Sequence, residues 1–425
     1  MTNAAVTPKR SRIFRALGPG LITGAADDDP SGIATYSQAG AQFGFSITWT
    51  LLFTYPLMAV IQEISARIGR TTGRGIAANI RSHYSNSILH SVVLLLVVAN
   101  TINIGADLGA MADALRLLVG GPNFLYVVSF GLLCAGLQVF VPYARYVSIL
   151  KWLTFALFAY FGTAIIVDIP WGQAAQGFLI PTFSKDTTFW TVVVAIFGTT
   201  ISPYLFFWQA SQEVEEIKNV SRRKPLLKSP RQGADAIDRI KVDTYIGMAF
   251  SNLVALAIMF TTAATLHVAG TTDIQTSSQV AEALRPIVGP FAFTIFAMGV
   301  VGTGLLAVPV LAGSAAYGIG EAFKWPVGLD RKPKQARAFY GTIVAATLSG
   351  IAITLSPLDP IKALFWSAVI NGVVAVPVMA MMMLISANKK IMGKFIIGGA
   401  LKIVGWIATG VMAAASIMMA ATTFF

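Results

Sequence analysis

Apolar runs of about 20 residues recur along the whole of this 425-residue chain. A helix of that length crosses the hydrocarbon core of a bilayer, and soluble helical proteins do not repeat such runs throughout. Only 12% of the residues are charged, whereas a soluble domain carries roughly a quarter. The sequence therefore predicts an all-α membrane protein that forms a single domain, residues 1–425.

The positions of the runs predict about eleven membrane-spanning helices. The predicted spans are 13–43, 46–69, 88–119, 123–142, 147–167, 188–216, 241–268, 290–323, 337–356, 361–386 and 396–422. An odd number of spans places the two termini on opposite sides of the membrane.

The net charge of +12 is concentrated in alternate loops, those that follow the even-numbered spans. This is the positive-inside pattern, and it predicts a cytoplasmic N-terminus and an external C-terminus in a bacterial plasma (inner) membrane. The lipid bilayer, and not a nucleic acid, is the partner that this pattern indicates. The basic residues concerned are Arg67, Arg70, Arg74, Arg81, Arg145, Lys151, Lys218, Arg222, Arg223, Lys224, Lys228, Arg231, Arg331, Lys332, Lys334, Arg337, Lys389, Lys390 and Lys394.

The N-terminus and the few cysteine and histidine residues carry no further signal. Basic residues precede the first apolar run without a cleavage-site context, so no signal peptide is predicted. These residues are Lys9, Arg10, Arg12 and Arg15. Cys134 is the only cysteine, which excludes an intramolecular disulfide. The three histidines are scattered without metal-ligand spacing, and no cofactor is predicted.

Two of the predicted spans are interrupted near their middle by polar residues and a proline. The first breaks at Asp27-Asp28-Asp29-Pro30-Ser31-Gly32, and the sixth breaks at Gly198-Thr199-Thr200-Ile201-Ser202-Pro203. Asp29 and Ser202 are good N-cap residues, and each stands directly before a proline, which suits the first position of a helix. Each break therefore predicts the end of one half-helix and the start of another.

The two broken spans are five spans apart, so the second five-span unit enters the membrane from the opposite side. Paired broken helices in two inverted units are typical of a transporter whose site lies at the bilayer midplane. The predicted units are 13–167 and 188–386, with 396–422 as an accessory helix.

The breaks supply oxygen ligands at membrane depth. One aspartate at the centre of a membrane helix costs about 2.5–3.5 kcal/mol, so three of them must face water, a cation or a partner. No lysine or arginine lies within a span near them. Half-helix ends also release carbonyl oxygens. Asp29, the carbonyls near Ala26 and Thr199, and Ser202 therefore predict a site for a hard divalent cation.

The motifs around both breaks resemble those of the Nramp (natural resistance-associated macrophage protein) family of divalent metal transporters. Gly18-Pro19-Gly20 followed by Asp29-Pro30-Ser31-Gly32-Ile33-Ala34-Thr35 is similar to the first-span signature of that family. Gly198 to Tyr204 is similar to its sixth-span signature, and Asp107-Leu108-Gly109 fits its third span. The resemblance covers essentially the whole chain. It implies a LeuT-type fold of two inverted five-helix repeats with broken helices 1 and 6, and transport of a divalent metal ion as cargo.

The resemblance also implies a metal site in which Asp29 supplies a carboxylate and Thr199 a carbonyl. Two usual ligands are replaced, because Gly32 stands at the family's asparagine position and Ser202 at its methionine position. Loss of the thioether removes the soft ligand that favours Mn²⁺ and Fe²⁺, and a glycine leaves more room for a partly hydrated Mg²⁺. The sequence therefore favours a magnesium transporter over a manganese or iron carrier. A manganese or iron carrier stays an alternative, because Asp27 and Asp28 could replace the two lost ligands.

Comparison with the family's pattern also argues against coupling of transport to protons. Tyr204 stands where the family has a histidine tied to proton movement, and Ala110 stands where a second third-span acid is expected beside Asp107. Other polar residues in the spans are candidates for an ion or proton path. They are Asp107, Asp113, Tyr204, Glu213 and Asn371, with Gln38 and Gln209 as weaker candidates. Glu213 is either part of a solvated helix end or part of an acidic exit.

Other function classes fit less well. A sodium-coupled carrier of an amino acid or similar solute would use the same fold, but three aspartates would repel a carboxylate. An intramembrane aspartyl protease using Asp29 and Asp107 lacks the Gly-x-Gly-Asp motif, so an enzyme is not predicted. A channel shares the composition, but inverted broken helices favour alternating access. The sequence does not define the oligomeric state.

Overall fold

The computed structural model describes residues 19–141, 158–220, 222–355 and 359–424. Within these ranges the chain is helical and contains no β-strand. The α-helices are α1 Pro19–Asp27, α2 Pro30–Phe43, α3 Trp49–Thr72, α4 Ile76–His83, α5 Asn86–Val119, α6 Asn123–Phe140, α7 Phe158–Ile166, α8 Trp171–Leu179, α9 Thr187–Thr200, α10 Pro203–Asn219, α11 Gly233–Thr262, α12 Ser277–Glu282, α13 Arg285–Val288, α14 Ala292–Ala322, α15 Arg337–Thr354, α16 Pro360–Ala387, α17 Lys389–Met392 and α18 Gly399–Phe424. The basic residues predicted before residue 16, Gly18 of the first-span motif, and Arg145 and Lys151 lie outside the described residues.

Eight helices of the described chain are long and apolar enough to cross a membrane, with the broken sixth span counted as one. A ninth results if α2 and α3, which meet at an angle of 110°, are counted together. The eight correspond to the third, fourth and sixth to eleventh predicted spans. The first and fifth predicted spans lie partly outside the described residues, and Gln62 and Glu63 interrupt the apolar run of the second. The helix count is therefore consistent with the predicted fold.

Both predicted breaks are present. In the first, α1 ends at Asp27 and α2 begins at Pro30; in the second, α9 ends at Thr200 and α10 begins at Pro203. A proline at the first helical position loses nothing, since that N–H would have no intrahelical partner. The same prolines cannot continue the preceding helix, because they lack the N–H that its last turn needs. The chain therefore leaves the helix for two residues at each break.

The half-helices around the breaks pack closely against two long helices. A Cβ added at Gly24 of α1 would overlap the backbone of Gly247 in α11. In the same way, a Cβ added at Gly198 of α9 would overlap the Ala368 carbonyl and lie 2.8 Å from Gly372 Cα in α16. Glycine allows this approach of two backbones because it has no side chain. The contacts place α11 and α16 directly beside the breaks.

We expect Gly198→Val to lower the free energy of unfolding by about 1–3 kcal/mol or more, because overpacking against backbone atoms cannot be relieved by a side-chain rotation. The midpoint of thermal unfolding of the purified protein measures the effect. Gly341→Val is the matched control, since a Cβ at Gly341 of α15 meets no atom of the described chain within 4 Å. An equal shift in both variants would contradict the packing argument.

Alternate loops meet at the same end of the molecule. At one end the residues after the sixth span join those after the second, with Leu226 N donating to Arg70 O at 3.2 Å. Arg81 donates to the carbonyl of Glu321 at the same end. At the other end Thr187 Oγ1 donates to Thr422 O at 2.5 Å. The residues that follow the second, sixth and eighth predicted spans therefore meet at one end.

Candidate cation site

Asp29 is the centre of the candidate site and caps α2, as the sequence predicts. Its Oδ1 accepts hydrogen bonds from Gly32 N at 2.8 Å and from Ser31 Oγ at 2.6 Å. Its Oδ2 accepts one from Asn103 Nδ2 at 3.0 Å, and the Tyr204 hydroxyl lies 3.5 Å away. The carboxylate is 1% exposed. Both oxygens of Asp29 are therefore held by protein donors in a place that solvent does not reach.

Each break frees a carbonyl oxygen four residues before its proline. In a continuous helix the Ala26 carbonyl would accept from residue 30 and the Thr199 carbonyl from residue 203, but both positions are prolines. The Ala26 carbonyl instead accepts from the Tyr204 hydroxyl at 3.1 Å. This bond joins the two breaks, because Tyr204 belongs to α10 and Ala26 to α1.

The second break does not form the cap that the sequence predicts for Ser202. Ser202 is at the N-cap position, but its side chain makes no capping hydrogen bond. Its hydroxyl points back to the carbonyls of Gly198 at 2.8 Å and Thr199 at 3.0 Å, which share its one hydrogen. The physical reason is that these carbonyls lack other donors, so the hydroxyl satisfies the end of α9 and not the start of α10. The Ser202 oxygen and the Thr199 carbonyl are consequently bound to each other.

The space expected at Gly32 is filled in this structure. A Cβ added at Gly32 would lie 3.2 Å from Thr199 Oγ1 and 3.3 Å from Tyr36 Cε2. Both contacts are tighter than an ordinary van der Waals contact, so these neighbours have taken the volume that a larger residue would use. Gly32 therefore brings the two breaks into contact instead of leaving an open cavity.

Asp27 and Asp28, which precede Asp29 in the break, face α11. Ser251 Oγ is within hydrogen-bonding distance of both, 2.5 Å from Asp27 Oδ2 and 3.1 Å from Asp28 Oδ1. One hydroxyl has one hydrogen to give. Asp27 Oδ1 and Asp28 Oδ2 have no hydrogen-bond partner among the described residues. These two carboxylates are therefore less satisfied than Asp29 and keep free oxygens for a cation or water.

A chain of polar groups leads from Asp29 to the tenth span. Asn103 Nδ2 donates to Asp29 Oδ2 at 3.0 Å and to Asp107 Oδ2 at 3.2 Å. Asn371 Nδ2 in α16 donates to Asn103 Oδ1 at 3.1 Å. Asn103, Asp107 and Asn371 are all 0% exposed. The structure therefore brings the predicted Asp107 and Asn371 to the site through a residue that the sequence did not single out.

The remaining predicted path residues do not reach the site. Asp113 lies on another face of α5 from Asp107, is partly exposed and pairs with Arg116 at 3.4 Å. Glu213 is neither solvated nor part of an open acidic exit, since it is buried and pairs with Arg239 of α11 at 2.5 Å. A buried carboxylate requires such a partner.

The two glutamines have structural contacts of their own. Gln38 Oε1 accepts from Ile274 N at 2.9 Å and so holds the loop after α11. Gln209 accepts a hydrogen bond from Thr23 and so joins α10 to α1. Neither contacts Asp29 through a hydrogen bond that the structure describes.

Asn103, Ser251 and Tyr36 are site neighbours that the sequence reasoning missed. Asn103 precedes Asp107 by one helical turn, and that spacing places both on one face of an apolar helix. Ser251 and Asn252 are an isolated polar pair within an apolar span. Both are signals of the kind expected where membrane helices make polar contacts. Neither signal identifies the contacting helix.

The oxygen-rich arrangement suits a hard divalent cation. Across the described ranges, no group of three or more histidine, cysteine, aspartate or glutamate side chains converges to hold a metal ion. The available ligands are single carboxylates together with carbonyl, amide and hydroxyl oxygens. Such a set is suited to Mg²⁺ or Ca²⁺ and contains no sulfur for a softer ion.

A cavity of about 420 Å³ opens at the end opposite the basic loops. We call it the vestibule, and Gln38, Thr191, Asp273, Ile274, Ile361 and Lys362 are among its lining residues. Beyond Ile361, a gap of only about 10 Å³ lies against Pro30. Its apolar walls include Ile33, Ala34, Val280 and Leu364. A water needs at least about 10–15 Å³, so this constriction between Ile361 and Pro30 has room for one water at most.

Cysteine labelling tests this arrangement, because Cys134 is 0% exposed and provides little background. We expect Thr191→Cys in the vestibule to react readily with a hydrophilic thiol reagent. Ala34→Cys in the constriction should react at least about tenfold more slowly, since access governs thiol reactivity. Equal labelling rates in purified protein would mean that the constriction is open.

The sequence matches known proteins over nearly its whole length. Residues 20–422 match the family model described as natural resistance-associated macrophage protein-like, Nramp. The divalent metal cation transporter MntH of Klebsiella pneumoniae (strain 342) is 24% identical over 427 residues, covering 97% of this chain and 96% of the relative.

Solved structures agree with this match. A mutant of the manganese transporter of Eremococcus coleocola superposes with a TM-score of 0.76 at 19% identity, covering 98% of this chain and 89% of the other. Mhp1, a nucleobase-cation-symport-1 family transporter, gives a TM-score of 0.58 at 14% identity, covering 99% and 96%. These likenesses confirm the predicted fold.

Proposed function

Because the chain belongs to the Nramp family, we propose that it moves a divalent metal cation across the membrane by alternating access. The observation that carries the proposal is the junction of the two breaks. Tyr204 of α10 donates to the freed Ala26 carbonyl of α1, beside the buried carboxylate of Asp29. A cation bound there would contact both broken helices, so its binding would depend on how they are arranged.

The proposed ligands are the oxygens that the breaks expose. Asp29 supplies a carboxylate, Ala26 and Thr199 supply carbonyls, and Asp28 supplies a carboxylate with one oxygen that has no described partner. Ser202 and Gly32 are proposed to shape the site, since Ser202 bonds the Thr199 carbonyl and Gly32 lets Thr199 approach. Asp107 and Asn371 are proposed to act from the adjoining polar chain.

The proposed cargo is Mg²⁺, with Mn²⁺ or Fe²⁺ as the alternative within the same function. The support is chemical, since the ligands are oxygens and the usual thioether position is Ser202. Tyr204 in place of a histidine supports transport without proton coupling. Comparisons with transporters of divalent metals do not favour a carrier of organic solutes.

The chain is an integral membrane protein, and the finer placement is part of the proposal. We assign the end with the basic loops to the cytoplasm, which makes the vestibule an external entrance and the transport inward. A bacterial plasma membrane fits the MntH relative. Two inverted units, 13–167 and 188–386, with 396–422 as an accessory helix, would move against each other around the breaks.

Uptake into proteoliposomes tests the proposal, with Mg²⁺ and Mn²⁺ offered separately and a pH-sensitive dye inside. We expect Mg²⁺ to enter without acidification of the lumen. Entry of Mn²⁺ alone, accompanied by protons, would support metal transport but reject the magnesium assignment. If neither ion enters, while protein-mediated uptake of an organic solute is detected, the metal function is wrong.

A further inference from the structure

Among the described residues of the site, Asn103 is the only one whose side-chain amide donates hydrogen bonds to two carboxylates. Its Nδ2 donates to Asp29 Oδ2 at 3.0 Å and to Asp107 Oδ2 at 3.2 Å, while its Oδ1 accepts from Asn371. An amide nitrogen has two hydrogens, and both are used here. The opposite orientation would place the amide oxygen against two carboxylate oxygens without a donor. Asn103 is therefore fixed with its nitrogen toward the carboxylates when no ion is present.

A cation between these carboxylates reverses that preference. The amide N–H groups would point at a positive charge, whereas the amide oxygen is a hard ligand of the kind that Mg²⁺ accepts. A half-turn of the side-chain amide exchanges the nitrogen and the oxygen at nearly the same positions. The turn therefore needs little space in a closely packed interior.

Asn371 is placed to follow this turn. At present its Nδ2 donates to Asn103 Oδ1 at 3.1 Å, and its own Oδ1 is buried without a hydrogen-bond partner among the described residues. If both amides turn, Asn103 Nδ2 donates to Asn371 Oδ1 instead. One hydrogen bond joins the pair in either orientation, so the contact between the two residues is preserved.

The distances from the Asn103 amide to the two carboxylates are close to the spacing of neighbouring ligands around Mg²⁺. In an octahedron with ligands at 2.0–2.1 Å, neighbouring ligands are about 2.8–3.0 Å apart. The amide nitrogen of Asn103 lies 3.0 Å from Asp29 Oδ2 and 3.2 Å from Asp107 Oδ2. An oxygen at that position can share one small cation with both carboxylates.

From these contacts we infer that Asn103 is a cation ligand, turned into the site by ion binding while Asn371 turns with it as a positioning residue. The inference rests on the proposed function and extends its ligand set to the third span. Asn103 would also supply an amide oxygen to the site. The first break has none, because Gly32 occupies the position where the family has an asparagine.

The first experiment measures Mg²⁺ binding to the purified full-length chain by calorimetry. We expect Asn103→Leu to weaken binding about 10–100-fold, as loss of a group at a metal site does. Asn100→Leu is the matched control, since Asn100 is equally buried on α5 but donates to Leu311 O and Ser314 Oγ, away from the carboxylates. It should bind Mg²⁺ as wild type does, because the side-chain contacts of Asn100 do not include the carboxylates.

Infrared difference spectra separate a ligand from a hydrogen-bonding bridge. With asparagine side chains labelled with ¹³C, Mg²⁺ should shift an amide carbonyl band in wild type. The shift should disappear in Asn103→Asp, which keeps an oxygen but has no amide, and remain in Asn100→Asp. If Asn103 only donates hydrogen bonds to the two carboxylates, Mg²⁺ should cause no carbonyl shift that is lost in Asn103→Asp.

The outcomes distinguish this inference from the proposed function. If wild type binds Mg²⁺, Asp29→Ala does not, and the carbonyl band is unchanged by the ion, Asn103 is no ligand and the inference is overturned. If neither Mg²⁺ nor Mn²⁺ binds wild type, the proposed function itself is wrong. Binding that falls equally in Asn103→Leu and Asn100→Leu would also overturn the inference.

Discussion

Asp29→Ala is expected to reduce divalent-cation uptake to the level of protein-free liposomes. Asp29 is the carboxylate at the junction of both breaks and is 1% exposed. At an effective dielectric constant of about 20, two unit charges 4 Å apart attract by about 4 kcal/mol, and a divalent ion doubles that attraction. Removal of the charge should therefore weaken ion binding by at least about a hundredfold. Initial uptake rates in proteoliposomes measure the loss.

Two further variants make this result specific. Asp29→Asn retains an oxygen that can accept from Gly32 N and cap α2, so it removes the charge with the least structural change. Asp113→Ala is the control, because that aspartate pairs with Arg116 on another face of α5. Uptake should be lost in the first and kept in the second. Substantial transport by folded Asp29→Asn would exclude the carboxylate as a required ligand.

Arg239→Gln should produce a large loss of stability at the basic end. Arg239 contacts Glu213 at 2.5 Å and Glu216 at 3.1 Å, and the Glu213 side chain is 1% exposed. Breaking a buried ion pair by removal of one partner costs about 3–5 kcal/mol, because the other charge stays buried. The thermal unfolding midpoint of the purified protein should fall accordingly.

A double variant tests the reason for this loss. Glu213→Gln combined with Arg239→Gln removes both charges and should recover much of the lost stability. Arg116→Gln breaks the pair with Asp113, in which the Arg116 side chain is 51% exposed, and should cost less than about 1 kcal/mol. If the double variant is no more stable than Arg239→Gln, an uncompensated buried charge is not the cause.

The breaks could be predicted from the sequence because their signals are local. A capping residue, a proline and an apolar run too short to span the membrane lie within a few residues of one another, as Asp29 and Pro30 illustrate. The order of spans and the alternation of charge then determine the fold class. The structure has both breaks at the predicted prolines, and the family match covers residues 20–422.

The partners of the site could not be predicted, because they depend on contacts between helices. Ser202 looks like a cap in the sequence, yet its hydroxyl satisfies carbonyls of the preceding helix. Asp107 and Asp113 look equivalent, yet helical rotation separates them. Asn103 and Asn371 are 268 positions apart and meet only because α5 packs on α16. Spacing along one chain does not contain this information.

The ion-free hydrogen bonds of Asp29 have a consequence for the transport cycle. Ser31, Gly32 and Asn103 already satisfy the carboxylate, so Asp29 itself needs no replacement ion before the protein changes conformation. A carrier that can reorient while unloaded supports net flux of its substrate down the gradient, whereas one that moves only when loaded can merely exchange ions. We therefore expect net filling of empty vesicles down a concentration gradient, without any requirement for counter-ion on the far side.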